Sequence, residues 1–116
     1  MKKPYAGKLD LRHGRVEMNH GAGGRATAQL VEHLFAAAFD NPALREGDDA
    51  AVIEVPAGHR IVLSTDAHVV SPRFFPGGDI GKLAVTGTLN DVAMKGAVPL
   101  SLSASFVLEE GLPLDE

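Results

Sequence analysis

Residues 74–99 read FFPGGDIGKLAVTGTLNDVAMKGAVP. Apolar residues recur through this stretch at helical spacing, yet it holds five glycines, and Gly81 and Gly87 fall well inside the helical pattern. An interior helical glycine costs about 1 kcal/mol relative to alanine. That cost makes sense where another backbone or a ligand must come close. The stretch also carries Asp91, preceded by Asn90, among its apolar positions. The pattern predicts a helix from Asp79 to about Lys95 with an acid on its packed side. Ordinary packing on a sheet, with Asp91 paired to Lys95 four residues on, is the plainer alternative.

Working outward, AVPLSLSASFVLEEG after the helix reads as a strand, with Leu100, Leu102, Ala104 and Phe106 alternating with serines and Val107. Before it, EGDDAAVIEV is a turn entering a strand and HRIVLSTDAHVV a second strand rich in β-branched residues. Pro56-Ala57-Gly58 connects them in a hairpin-like turn. Further back, Leu30, Leu34, Ala38 and Val31, Phe35, Phe39 recur every four residues, which predicts an amphipathic helix over 25–39. Pro42 stops it. Val16 and Met18 suggest a short strand running into the glycine turn HGAGG. Residues 1–15 show no period and read as a flexible arm, leaving 16–116 as the folded domain. The order β-α-β-β-α-β gives an α+β domain with most of its strands in one sheet. The last residues, LEEGLPLDE, read as strand, turn and the first acids of a further helix. On that pattern the chain is expected to be the front part of a longer protein.

A chain of 116 residues suits one domain. Such a domain buries roughly 65% of its unfolded surface. Hydrophobic residues make up 45% of it and aromatics 5%, so the core is aliphatic. Eleven basic residues against fifteen acidic ones give a net charge of -4 with no basic run, which argues against nucleic acid. No 18-residue apolar run and no signal-peptide core are present, so no membrane association is expected and the default compartment is cytoplasmic. The absence of Cys excludes disulfides, thiolate metal sites and a thiol nucleophile within these residues.

Four acids border or interrupt apolar segments: Asp48 and Asp49 in GDDAAV, Asp66 in STDAHVV, and Asp91. Buried carboxylates need cations or donors nearby. Each acid alone reads as a helix or strand cap. As a set they suit Mg2+, which takes hard oxygen ligands and bridges carboxylates to nucleotide phosphates. The HGAGG segment (20–24) feeds a helix amino end, where free amides favour an anion, although a glycine turn without ligand has the same composition. No Gly-Lys-Ser/Thr follows, so it is not a Walker A loop. The five histidines lack paired metal spacing, and no serine has a G-x-S-x-G context.

Taken together, NHGAGGRA (19–26), GDDAAVIEV (47–55) and the long run from Ser64 to Pro113 resemble the amino-terminal part of the HypE family. These are the carbamoyl dehydratases of nickel–iron hydrogenase maturation, within the PurM-like superfamily of aminoimidazole ribonucleotide synthetase. The resemblance covers residues 16–116. It implies ATP and Mg2+ as cofactors, Asp49, Asp66 and Asp91 as metal ligands, and Asp48 and Asn90 as their neighbours. It places His20, Gly21, Gly23 and Gly24 near the phosphates. It further implies a mixed β-sheet with helices packed on one face, a homodimer whose two sheets close a barrel, HypF as carbamoyl donor and the HypC–HypD complex as partner. In that family the carbamoyl group sits on a cysteine at the carboxyl end and is dehydrated to thiocyanate, the source of cyanide for the iron. The second domain and that cysteine lie outside this sequence, so the fragment is expected to be inactive alone. Two alternatives remain: a domain of a sister family of the thiamine-monophosphate kinase or selenophosphate synthetase type, or a non-catalytic interaction module.

Overall fold

The computed structural model describes residues 8–116. Two compact units divide these residues: one holds the stretch up to Val52 together with Ser105–Glu116, the other is Ile53–Ala104.

The first unit holds the buried core, formed by Leu9, Val16, Leu30 and Leu114, with Leu34, Phe35, Leu108 and Leu112 against it. Residues 8–15, expected to be a flexible arm, are tied in instead. Val16 donates to the Leu112 carbonyl at 2.8 Å, Gly111 to Val16 at 2.8 Å and Leu114 to Gly14 at 3.0 Å, around a bridge between Arg15 and Pro113. The Arg15 guanidinium caps this closure on the Gly111 carbonyl at 2.7 Å. Leu9 supplies an apolar anchor, which is why the charged arm settles. Residues 1–7 of the expected arm lie outside the described residues. In the closing segment the Leu112 carbonyl and the Leu114 amide are engaged by residues 14–16, while the Leu112 amide turns back to the Glu109 carbonyl at 3.3 Å.

A 3-10 turn, Met18–Gly21, replaces the short strand expected at Val16 and Met18. Then come α1 (Arg25–Leu30), a π-helical segment Val31–Phe35 and α2 (Ala36–Ala38), so the expected helix over 25–39 is present. Its centre widens where the Ala36 amide donates to the Val31 carbonyl, five residues back. Leu30 and Leu34 meet the core, while Phe35 and Phe39 meet Phe106 with ring centroids 4.8 and 6.0 Å apart. Asn41-Pro42 stops that helix and starts another, α3 (Pro42–Glu46). The Asn41 side chain caps it by accepting from the Leu44 amide at 3.1 Å, and Gly47, with φ 71°, ends it. Arg45 grips Asp40 with two bonds of 2.6 and 2.7 Å, which hold the Asp40 carboxyl below the usual range. Both side chains are more than half exposed, so the pair adds little stability.

The second unit contains the expected helix, α4 (Ile80–Ala93), capped by the Asp79 carboxylate, which accepts from the Lys82 amide at 2.8 Å. A small antiparallel hairpin, β1 (Phe74–Phe75) and β2 (Gly78–Asp79), leads into it. The Pro56–Gly58 turn also forms, with Gly58 at φ 82° and the His59 amide on the Pro56 carbonyl at 3.2 Å. The strands expected beside that turn and at 99–108 form no ladder; among the described residues the hairpin is the only sheet. Many of their apolar residues find no cover: Ile61 is 74% exposed, Leu63 87%, Val69 98% and Leu100 65%. β-propensity describes how side chains fit a half-buried sheet, and without a neighbouring strand it forms none. The mixed sheet is thus corrected to helices with one small antiparallel hairpin.

Candidate functional site

In the first unit the glycine segment leads directly into α1. His20 is buried, and its Nδ1 accepts from the Glu17 amide at 2.9 Å, so this nitrogen braces the turn. Gly23 takes φ 72°, a conformation that glycine adopts without strain, and its amide donates to Thr27 Oγ1 at 3.0 Å. Gly24 is the residue before the first helical turn. A side-chain carbon added at Gly21, Gly23 or Gly24 would meet nothing within 4 Å, so close packing within this chain does not require these glycines. Asp48 and Asp49 follow α3 and are exposed, with Asp49 opening a bend.

The second unit carries Asp66, Asn90 and Asp91. Asp91, expected on a packed side, is exposed, as is Asn90, and α4 buries no residue fully. A carboxylate in water bears no burial cost, which removes the premise that it needs a buried partner. Its Oδ2 accepts a hydrogen bond from the Ser64 hydroxyl at 3.1 Å. This contact brings the segment leading to Asp66 against the end of α4. The Asp66 side chain is 40% exposed, and its Oδ2 lies 3.8 Å from His68 Nε2. The His68 side chain is only 17% exposed because its ring seats over Gly87. Sequence reasoning left His68 aside; the signal was its position two residues after Asp66, together with a glycine inside the facing helix. Gly81 has a simpler cause, since a side-chain carbon there would crowd the capping Asp79 carboxylate at 3.2 Å.

Within either unit, no group of three or more His, Asp or Glu side chains comes together as a metal cluster among the described residues. The donors are nonetheless hard oxygens open to water, the kind Mg2+ shares with nucleotide phosphates. No helix among the described residues is long and apolar enough to cross a membrane.

Residues 47–116 match the family model of AIR synthase related protein, N-terminal domain. The chain is 63% identical to carbamoyl dehydratase HypE of Cupriavidus necator and 60% identical to that of Rhizobium leguminosarum. Each alignment covers 98% of this chain and 32% of the relative. Identity to the Escherichia coli HypE is 51%, over 86% of this chain and 31% of the relative. The chain thus spans about a third of the length of these curated relatives. Among solved structures it is similar to a crystal structure of hydrogenase maturation protein HypE in complex with ATP. That match has a TM-score of 0.62 and 49% identity, over 66% of this chain and 22% of the other. The backbone likeness supports a PurM-like fold, and the chain belongs to the AIR synthase related protein family, whose N-terminal domain it carries.

Proposed function

We propose that the chain is the ATP-handling and dimerising domain of a HypE-type carbamoyl dehydratase in hydrogenase maturation. The observation that carries this reading is its 63% identity to a protein named carbamoyl dehydratase HypE, along nearly the whole chain. The ATP in the related crystal structure supports the choice of nucleotide. In this reading Asp49, Asp66 and Asp91 hold Mg2+ against the phosphates, with Asp48 and Asn90 beside them. His20 braces the turn, and Gly21, Gly23 and Gly24 leave room for the phosphate oxygens. ATP, when bound, supplies the phosphoryl group that turns the carbamoyl oxygen into a leaving group. The carbamoyl group arrives from HypF on a cysteine outside these residues, and the HypC–HypD complex takes the cyanide onward. The present residues bind and orient the nucleotide. They lack a thiol to carry the carbamoyl group, so on their own they produce no thiocyanate.

Calorimetry of the chain with Mg2+ and ATP tests the reading. Replacing Asp49, Asp66 or Asp91 singly by Asn keeps size and removes charge. Each change is expected to weaken Mg2+–ATP binding by about tenfold or more, since even the loss of an outer support of a metal ligand has that scale. Unchanged affinity in all three variants would refute the assignment.

A further inference from the structure

The ring of His68 occupies the space that any side chain at Gly87 would need. A carbon added to Gly87 would lie 2.7 Å from His68 Nε2, 3.5 Å from Cε1 and 3.8 Å from Cδ2. The same Nε2 stands 3.8 Å from Asp66 Oδ2. The edge of the imidazole is therefore a spacer between the bare backbone of α4 and the Asp66 carboxylate. One helical turn after Gly87, Asp91 receives the Ser64 hydroxyl at 3.1 Å. Residues 64–68 thus touch α4 at two points four residues apart, in opposite chain senses, and Asp66 lies between them in sequence. Each point fixes one acid: Ser64 holds Asp91, and His68 abuts Asp66.

We infer that His68 is a positioning residue for the acidic pair, setting Asp66 relative to Asp91 by seating its ring on Gly87. The inference rests on the reading of these acids as the Mg2+–ATP site. It also explains the glycine inside α4, which the helix itself disfavours. Crowding at position 87 falls on the far end of a rotatable side chain, not on backbone. Gly87→Ala therefore displaces the ring and leaves the helix intact. Alanine is the better helix former, so stability and metal-dependent affinity should move in opposite directions.

The experiment compares the wild-type chain with Gly87→Ala, His68→Ala, His68→Gln and Asp66→Asn. The expected result for Gly87→Ala is an unchanged or raised melting temperature with about tenfold weaker Mg2+–ATP binding, as for lost outer supports of metal ligands. ATP binding in EDTA should stay unchanged. His68→Ala should lose similar affinity, and His68→Gln, which keeps a nitrogen at comparable reach, should restore most of it. In the ligand-free chain, a nuclear Overhauser contact between His68 Hε1 and a Gly87 Hα is expected. The Asp66 carboxyl 13C resonance should shift in Gly87→Ala. If Asp66→Asn weakens binding while Gly87→Ala and His68→Ala do not, the positioning role is overturned and the acid assignment stands. If Asp66→Asn has no effect, the acid assignment fails. The ligand-free spectra then decide the positioning role alone: a missing contact or an unmoved Asp66 resonance overturns it.

Discussion

Gly14→Ala is expected to destabilise the first unit by about 3 kcal/mol, toward the upper end of the range for overpacked sites. The added carbon would overlap the backbone carbonyl oxygen of Asp10 and lie 3.0 Å from Leu114 Cδ1. That oxygen already accepts the Gly14 amide at 2.8 Å, so the turn cannot yield without losing a backbone hydrogen bond. Leu114 donates its own amide to the Gly14 carbonyl, and any shift propagates into the closure between residues 14–16 and 111–114. Among the described residues the buried hydrophobics are Leu9, Val16, Ala26, Leu30 and Leu114. Three of the five sit on this closure or next to it. A core this small has no reserve to compensate. Gly21→Ala is the control, because a carbon there meets nothing within 4 Å. Its cost should stay within about 0.5 kcal/mol, as at ordinary surface sites. Urea unfolding of the two variants measures the difference, and equal midpoints would contradict this account of the core.

The second large effect concerns association. Ile61, Leu63, Val69, Leu100 and Leu102 are all exposed within one unit, and their segments have no strand partner among the described residues. Large exposed apolar side chains gathered in one unit favour an interaction face, and unpaired strand-forming segments invite pairing with another chain. A second copy offers the same segments, and a two-fold arrangement lets each complete the other's sheet. Light scattering should therefore give twice the chain mass of 12.2 kDa. Leu63→Asp combined with Leu100→Asp should return it to a single chain, since a charge buried in a sheet interface is costly without a partner. A wild-type monomer at high protein concentration would remove the dimer from the proposal.

The helical part of the fold was legible in the sequence because its signals are local. Asp79 caps α4 and Pro42 stops the first helix as their chemistry dictates. Asn41-Pro42 with Gly47 five residues later is a starting signal as well as a stop, and α3 forms on it. The strands were a different matter. Alternation at 99–108 and β-branching at 61–63 describe what a segment can pair with, not whether a partner is present. Within the expected arm, residues 8–15 settle because one residue, Leu9, outweighs the charges around it once Leu114 and Val16 are beside it. For the candidate site, residue types and order were readable. Exposure of Asp91 was not, since helical spacing shows which residues share a face but not whether anything covers that face. The His68–Gly87 contact joins residues nineteen positions apart and leaves no periodic trace.

The central claim is that the acids of this chain meet a metal ion on ATP. Crystals of the chain grown with Mn2+ and a non-hydrolysable ATP analogue test it most directly, through the anomalous signal of the metal. The account predicts a peak at the analogue's phosphates with Asp66 and Asp91 oxygens within coordinating distance of the metal. Bound analogue whose metal contacts neither carboxylate would contradict it.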